Sequence, residues 1–342
     1  MKKFFFVVIL FLGIAIVAIS FSEFKTIVKT LSQAHLFYFF LAVFIQTTWF
    51  VATARMYKSV FHLLGMDENT FTLTRIATAA NFVNTVTASG GVGGVALFAA
   101  EARRRGHPTG KVTVAAALFL SLDHVAFLSI LAVGLFILAR TNDLNAGEIT
   151  ASLLMLGFAI AYAFVLYLGY RSEKKLGDLL AKLTRMVNRG VRYFRRRRAD
   201  YLREARAREF AHEVSEGFSH LTEKSTSMLR PILWGVLDKV LLMGILVCAF
   251  LSFEVPFSAE IIVAGFAITF LFTTMSPTPS GIGVVEGVTP LALASLGVDW
   301  SQAVVITLAY RAVTFWYPFA IGAWAFRSLH TEAEKPLRED EA

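Results

Sequence analysis

The chain has 342 residues, 56% of them hydrophobic and 17% charged, with a mean hydropathy of +0.60. Soluble domains run near a quarter charged, so this composition excludes a soluble globular fold and predicts an all-α polytopic membrane protein. The net charge of +8 is local, because residues 171–228 carry fifteen Lys and Arg against eight Asp and Glu; that is the pattern of a cytoplasmic segment beside anionic lipid, not of a nucleic-acid-binding domain.

Met1-Lys-Lys followed by the apolar run Phe4 to Ile19 has the layout of a secretory signal, with small residues at Ala18 and Ser20. Its core is long for a cleaved signal, and it is read as a retained first span with a cytoplasmic N-terminus. A second span covers about Leu36 to Ala54, and Arg55 and Lys58 place its far end inside. Gln46 and Thr47 are polar within it and suit helix–helix hydrogen bonding.

Residues 71–101 form the first unusual stretch. It contains Asn81, Asn84 and the run Ser89-Gly-Gly-Val-Gly-Gly94. Four glycines in five residues break a helix, and neither apolar arm reaches the ~20 residues a span requires. The stretch is expected to be a re-entrant hairpin, with Arg103–Arg105 marking its face as cytoplasmic. Val112 to Ala139 is then a long span carrying Asp123 and His124, and Ala151 to Tyr170 returns inside. Asp123 is either a structural carboxylate or a proton carrier, and His124 is read as structural.

The basic segment follows. Arg195–Arg198 serve either as a topology anchor or as a headgroup site, and Asp200 to Leu221 mixes Glu and Arg at helical spacing. Pro231 opens a span that ends near Phe253. It contains Cys248, the single cysteine, which excludes an intrachain disulfide, and Asp238-Lys239, where Lys239 is expected to snorkel to the interface. No Cys/His cluster, HExxH or P-loop pattern occurs, and no metal or cofactor is expected.

Residues 261–296 form the second unusual stretch, around Ser276-Pro-Thr-Pro-Ser-Gly-Ile-Gly-Val-Val-Glu286. Pro277 and Pro279 lack an N–H, and Gly281 and Gly283 leave helical geometry readily. In lipid such backbone persists only where it is buried in protein or lines a cavity. Asp299 then caps a last span to about Phe326, and a polar tail, expected to be disordered, follows.

Each unusual stretch is followed by a long helix with a mid-depth charge, Asp123 in one and Arg311 in the other, roughly 18–20 Å beyond the helix start. Placing every basic cluster on one side requires both stretches to re-enter, from opposite faces. The expected fold therefore has about six spans and two re-entrant hairpins as an inverted repeat, the architecture of transporters with midplane sites. Its parts are an N-terminal membrane half (1–170), a basic cytoplasmic segment (171–228), a C-terminal membrane half (229–327) and a tail (328–342).

A cation at mid-membrane costs at least ~2.5–3.5 kcal/mol, so Arg311 requires a partner. Either it is a structural ion pair with Glu286 or Asp123, or it clamps a lipid phosphate. Glu286 is either a helix N-terminal carboxylate or a proton carrier. The glycines, among them Gly91, Gly93, Gly281 and Gly283, either allow close packing or turn N–H groups towards an anion. Asn81 and Asn84 either cap the broken helix or donate to a headgroup. Trp316 and Tyr317 belong to an interface belt or a kink.

Asn84 with Ser89–Gly94, Pro277–Glu286, and Tyr310-Arg311 through Trp316-Tyr-Pro318 with Gly322 together resemble the flippase-like membrane family. Its best-known member is the N-terminal half of bacterial lysylphosphatidylglycerol synthetase/flippase, and the resemblance covers nearly the whole chain. It implies a non-enzymatic transporter of an anionic phospholipid or polyprenyl-phosphate-linked lipid in the inner membrane, with Tyr310 beside Arg311 in the substrate site, while the placement of the basic clusters puts both termini in the cytoplasm. The chain closes at residue 342 without the soluble domain of the lysyl-transferring enzyme, so aminoacyl transfer is not expected. An assembly of identical chains is left open. Two competing classes are an intramembrane headgroup-modifying enzyme using Asp123, His124 and Glu286, and an accessory subunit of a lipid or glycan synthase.

Overall fold

A computed structural model describes residues 34–87, 92–141, 149, 153, 156, 157, 160, 164, 167, 168, 171–195, 211, 215, 228–276 and 278–339. Among them the regular structure is entirely helical. In chain order the helices are α1 (Leu36–Leu63), α2 (Thr70–Thr87), α3 (Val92–Arg104), α4 (Thr109–Thr141), α5 (Glu173–Arg195), α6 (Leu229–Ser252) and α7 (Ala259–Met275). A 3₁₀ turn (Pro279–Gly281), α8 (Val285–Ser295), α9 (Trp300–Arg311), a π turn (Ala312–Trp316) and α10 (Tyr317–Glu339) follow.

Four helical stretches are long and apolar enough to cross a membrane: Leu36–Leu63, Thr109–Arg140, Leu229–Ser252 and Trp300–Thr331. They match the expected second, third, fifth and sixth spans. The expected spans at Phe4–Ile19 and Ala151–Tyr170 lie wholly or mostly outside the described residues. Phe37, Phe40 and Phe44 on α1 are each more than 60% exposed, as suits a helix whose outer face meets acyl chains rather than water. α10 continues beyond Thr331, where the polar tail begins, as far as Glu339; Glu, Ala and Lys in that stretch are good helix formers.

The chain divides into two compact units. One comprises the described residues of Met1–Thr48, Ile130–Ala151 and Val240–Ile321, and the other those of Trp49–Ser129, Ser152–Lys239 and Gly322–Ala342. In the second unit α2 packs on α3, and Tyr57 of α1 stacks between Phe98 and Phe119 at 3.8 and 3.7 Å between ring centroids. Leu73, Ile76, Val112, Leu176, Ala325 and Leu329 belong to the same buried cluster. Gly322 lies where a Cβ would approach Phe82 Cβ to 2.7 Å and the Thr78 carbonyl to 2.9 Å, so a small residue is required there for α10 to approach α2.

In the first unit α7 packs on α8, and α8 on α9. Gly265 of α7 accepts Leu293 of α8 where a Cβ would not fit, and Thr269 hydrogen-bonds Thr289 at 3.0 Å across the same contact. Ser258 caps α7 by accepting from the Ile261 N–H at 3.3 Å.

Candidate functional site

The break between α7 and α8 positions the chief polar site of its unit. Ser276, in extended conformation, ends α7, and its hydroxyl bonds the Thr278 hydroxyl at 2.7 Å and accepts from the Thr278 N–H at 3.2 Å. Ser280, Gly281 and Gly283 then all take positive φ, at +47°, +77° and +79°. This left-handed backbone reverses the chain and starts α8, with Glu286 in its first turn. Pro277 lies outside the described residues.

Glu286 is held at both oxygens. One accepts from the Gly283 N–H at 2.7 Å, the other from Arg311 Nε at 2.5 Å. Glu286 therefore satisfies the Gly283 N–H just ahead of α8, close to the positive end of that helix, and pairs with the cation. The N–H groups of Gly281 and Gly283 donate to the Thr278 carbonyl and to Glu286. They are used within the turn, not turned outward towards an anion.

Arg311 closes α9 and is 3% exposed. Its guanidinium carbon lies 4.5 Å from the centroid of the Phe315 ring, a cation–π contact. Nη2 is buried and has no hydrogen-bond partner among the described residues. A guanidinium in a buried setting normally has its donors occupied, so this one keeps donor capacity in reserve. The backbone immediately after it widens into the π turn. Pro318 has no N–H and its ring crowds the carbonyl one turn back, and the Tyr317 N–H bonds Ala312 O instead. Tyr310 is 5% exposed beside Arg311. Tyr317 is in hydrogen-bond contact with Thr47 at 2.8 Å, so it is a packing contact of its unit.

In the other unit Asn84 joins the two helices of the first broken stretch. Its Oδ1 accepts from the Gly94 N–H at 2.6 Å, which ties α2 to α3, and a Cβ at Gly94 would collide with Asn84 and the Ala80 carbonyl. Gly93 is half-buried on α3, and Gly91 lies outside the described residues. Asn81 is on α2, where its carbonyl accepts from Thr85.

Asp123 has its partner within its own unit. It accepts from Lys239 Nζ at 2.5 Å, and Lys239 also donates to Asp238 at 3.1 Å. Thr53 completes the cluster by donating to the second Asp238 oxygen at 2.9 Å. Lys239 and Asp238 are each 2% exposed, so Lys239 does not snorkel to the interface as the sequence suggests. An apolar setting holds an ammonium only against carboxylates, and two are within reach. His124 bonds the Leu120 carbonyl of its own helix at 2.7 Å and is 8% exposed, a structural placement. Lys239 and Asp238 are the site residues that sequence reasoning undervalued. The available signal was a second charge of each sign inside a span.

Among the described residues no group of His, Cys, Asp and Glu is arranged to hold a metal. Over residues 5–322 the sequence matches the family described as the lysylphosphatidylglycerol synthase TM region. No curated protein matches the chain.

Proposed function

Since the chain belongs to the lysylphosphatidylglycerol synthase transmembrane-region family, we propose that it moves an anionic lipid, a phospholipid or a polyprenyl-phosphate-linked one, between the leaflets of the inner membrane without altering it covalently. The half-used guanidinium of Arg311 carries this reading: Nε is paired with Glu286 while Nη2 is buried without a partner. That leaves one planar donor edge for a phosphate oxygen, and Arg suits oxyanions through such an edge.

In this reading Glu286 keeps Arg311 compensated while no lipid is bound and gives way as a headgroup phosphate arrives. The Gly283 N–H then retains the freed carboxylate, which limits the cost of the exchange. Asp123 balances the ammonium of Lys239 in its own unit. Further support comes from the two broken stretches, whose helices, 18 and 13 residues in one and 17 and 11 in the other, do not count among the spanning stretches. Re-entrant hairpins in an inverted repeat, with both termini cytoplasmic, account for such helices together with the placement of the basic clusters.

The test is lipid movement in proteoliposomes. Fluorescent phosphatidylglycerol should cross with the parent protein and slow at least ~10-fold with Arg311→Lys, a variant that keeps the charge but not the planar edge. An unchanged rate with Arg311→Lys removes the phosphate role, and a chemically altered lipid in the product replaces transport with an enzymatic reading.

A further inference from the structure

α5 lies within the basic segment 171–228, whose charge is that of a segment beside anionic lipid. At roughly 100° per residue, Leu176, Gly177, Leu180, Ala181, Thr184 and Asn188 share one arc. The protein covers this arc: Leu176 and Ala181 are at most 1% exposed, and Leu176 lies in the buried cluster that also holds Leu64 and Met66 beyond α1 and Val112 near the start of α4. α5 therefore packs where spanning helices end, at the level expected for a membrane surface.

The rest of the helix is not simply polar. Met186 is 62% exposed and Leu179 half-buried; seven residues apart, they form one apolar edge. Lys175 and Lys182, also seven apart, run beside that edge within roughly 40°. Lys174, Lys175 and Lys182 are all exposed, and none forms an ion pair among the described residues. Asp178 shares their side of the helix.

An apolar edge alone does not say what covers it, but here the exposed ammonium groups of Lys175 and Lys182 beside it do, since they outnumber the one carboxylate, Asp178, on that side. The occupant is apolar at one level and anionic at the next, a few ångströms away. A water-facing helix has no use for Leu179 and Met186, and an apolar protein partner has none for the lysines. We infer that this edge of α5 is a docking strip for acidic phospholipid: Leu179 and Met186 enter the boundary between headgroups and acyl chains, and Lys175 and Lys182 meet the phosphates. The inference does not rest on Arg311 or on transport.

The experiment uses the full chain in nanodiscs, with a fluorophore on Met186→Cys. Cys248, the other thiol, is buried and is removed by Cys248→Ala, or left in place if that variant does not fold. Dibrominated phosphatidylglycerol and dibrominated phosphatidylcholine are compared as quenchers at equal mole fraction. Both should quench, the glycerol lipid at least ~2-fold more strongly. Replacing Lys175 and Lys182 by Gln should abolish the preference while quenching by the choline lipid persists. Absence of quenching by either lipid, as for a strip in water or under a second copy of the chain, overturns the inference. Equal quenching by the two lipids overturns the acidic-lipid specificity on which it rests.

Discussion

Arg311 and Glu286 form a pair in which each member would be costly alone. Truncation to Ala leaves the other as a buried, uncompensated charge, which typically costs about 3–5 kcal/mol. Arg311→Ala is therefore expected to lower yield and thermal midpoint, so loss of transport in that variant does not isolate the phosphate role. The double variant Arg311→Leu with Glu286→Gln removes both charges and should recover most of the midpoint while remaining inactive. A thermal-shift series on the two single variants and the double one measures the coupling directly. The sequence makes this pair legible, because a lone mid-membrane cation demands a partner and only a few carboxylates were available. It does not say which carboxylate answers: Asp123 and Glu286 are equivalent on a helix plot. Only the left-handed turn that aims Glu286 at Arg311, and Lys239 claiming Asp123, separate them.

The turn between α7 and α8 makes two glycines look alike in sequence and differ in space. Both have positive φ, but a Cβ on Gly281 would run into Val285 and the Thr273 backbone, whereas Gly283 faces open space. Gly283→Ala should cost only the left-handed conformation, about 1–2 kcal/mol. Gly281→Ala should cost clearly more, because the clash adds to the strain. A smaller loss of midpoint for Gly281→Ala would show that the turn relaxes. At the start of α9, Asp299 accepts from the Ser301 hydroxyl and N–H and the Gln302 N–H, and these bonds hold its carboxyl below the usual range. The stabilisation is complete above about pH 4 and disappears as pH falls through the lowered folded value. The gap in midpoint between the parent and Asp299→Asn should therefore narrow on acidification below that pH. The cap and the chain break were readable from Asp299, the prolines and the glycines. The π turn was not, because Pro318 implies a disturbed helix without specifying whether it kinks or widens.

For the whole molecule, composition and the length of apolar runs establish a membrane protein, and four of the expected spans are present as helices. What composition cannot convey is how buried charge is balanced. Lys239 with Asp123 and Asp238 is a cluster of two carboxylates and one ammonium, drawn from two helices far apart in sequence and supported by Thr53 from a third. Lys239→Met should be poorly tolerated, since it leaves two carboxylates facing each other without a cation. Adding Asp123→Asn and Asp238→Asn removes the charge altogether, and an apolar or neutral replacement of a whole buried cluster is often neutral for stability. The triple variant should therefore regain the parent's thermal midpoint. If the cluster serves lipid movement as well as stability, that refolded triple variant should still move phosphatidylglycerol at less than about a tenth of the parent rate, a loss of roughly 1.4 kcal/mol or more in barrier terms. A parent-like rate would make the cluster a strut of its unit and leave Arg311 and Glu286 as the charged pair on which transport depends.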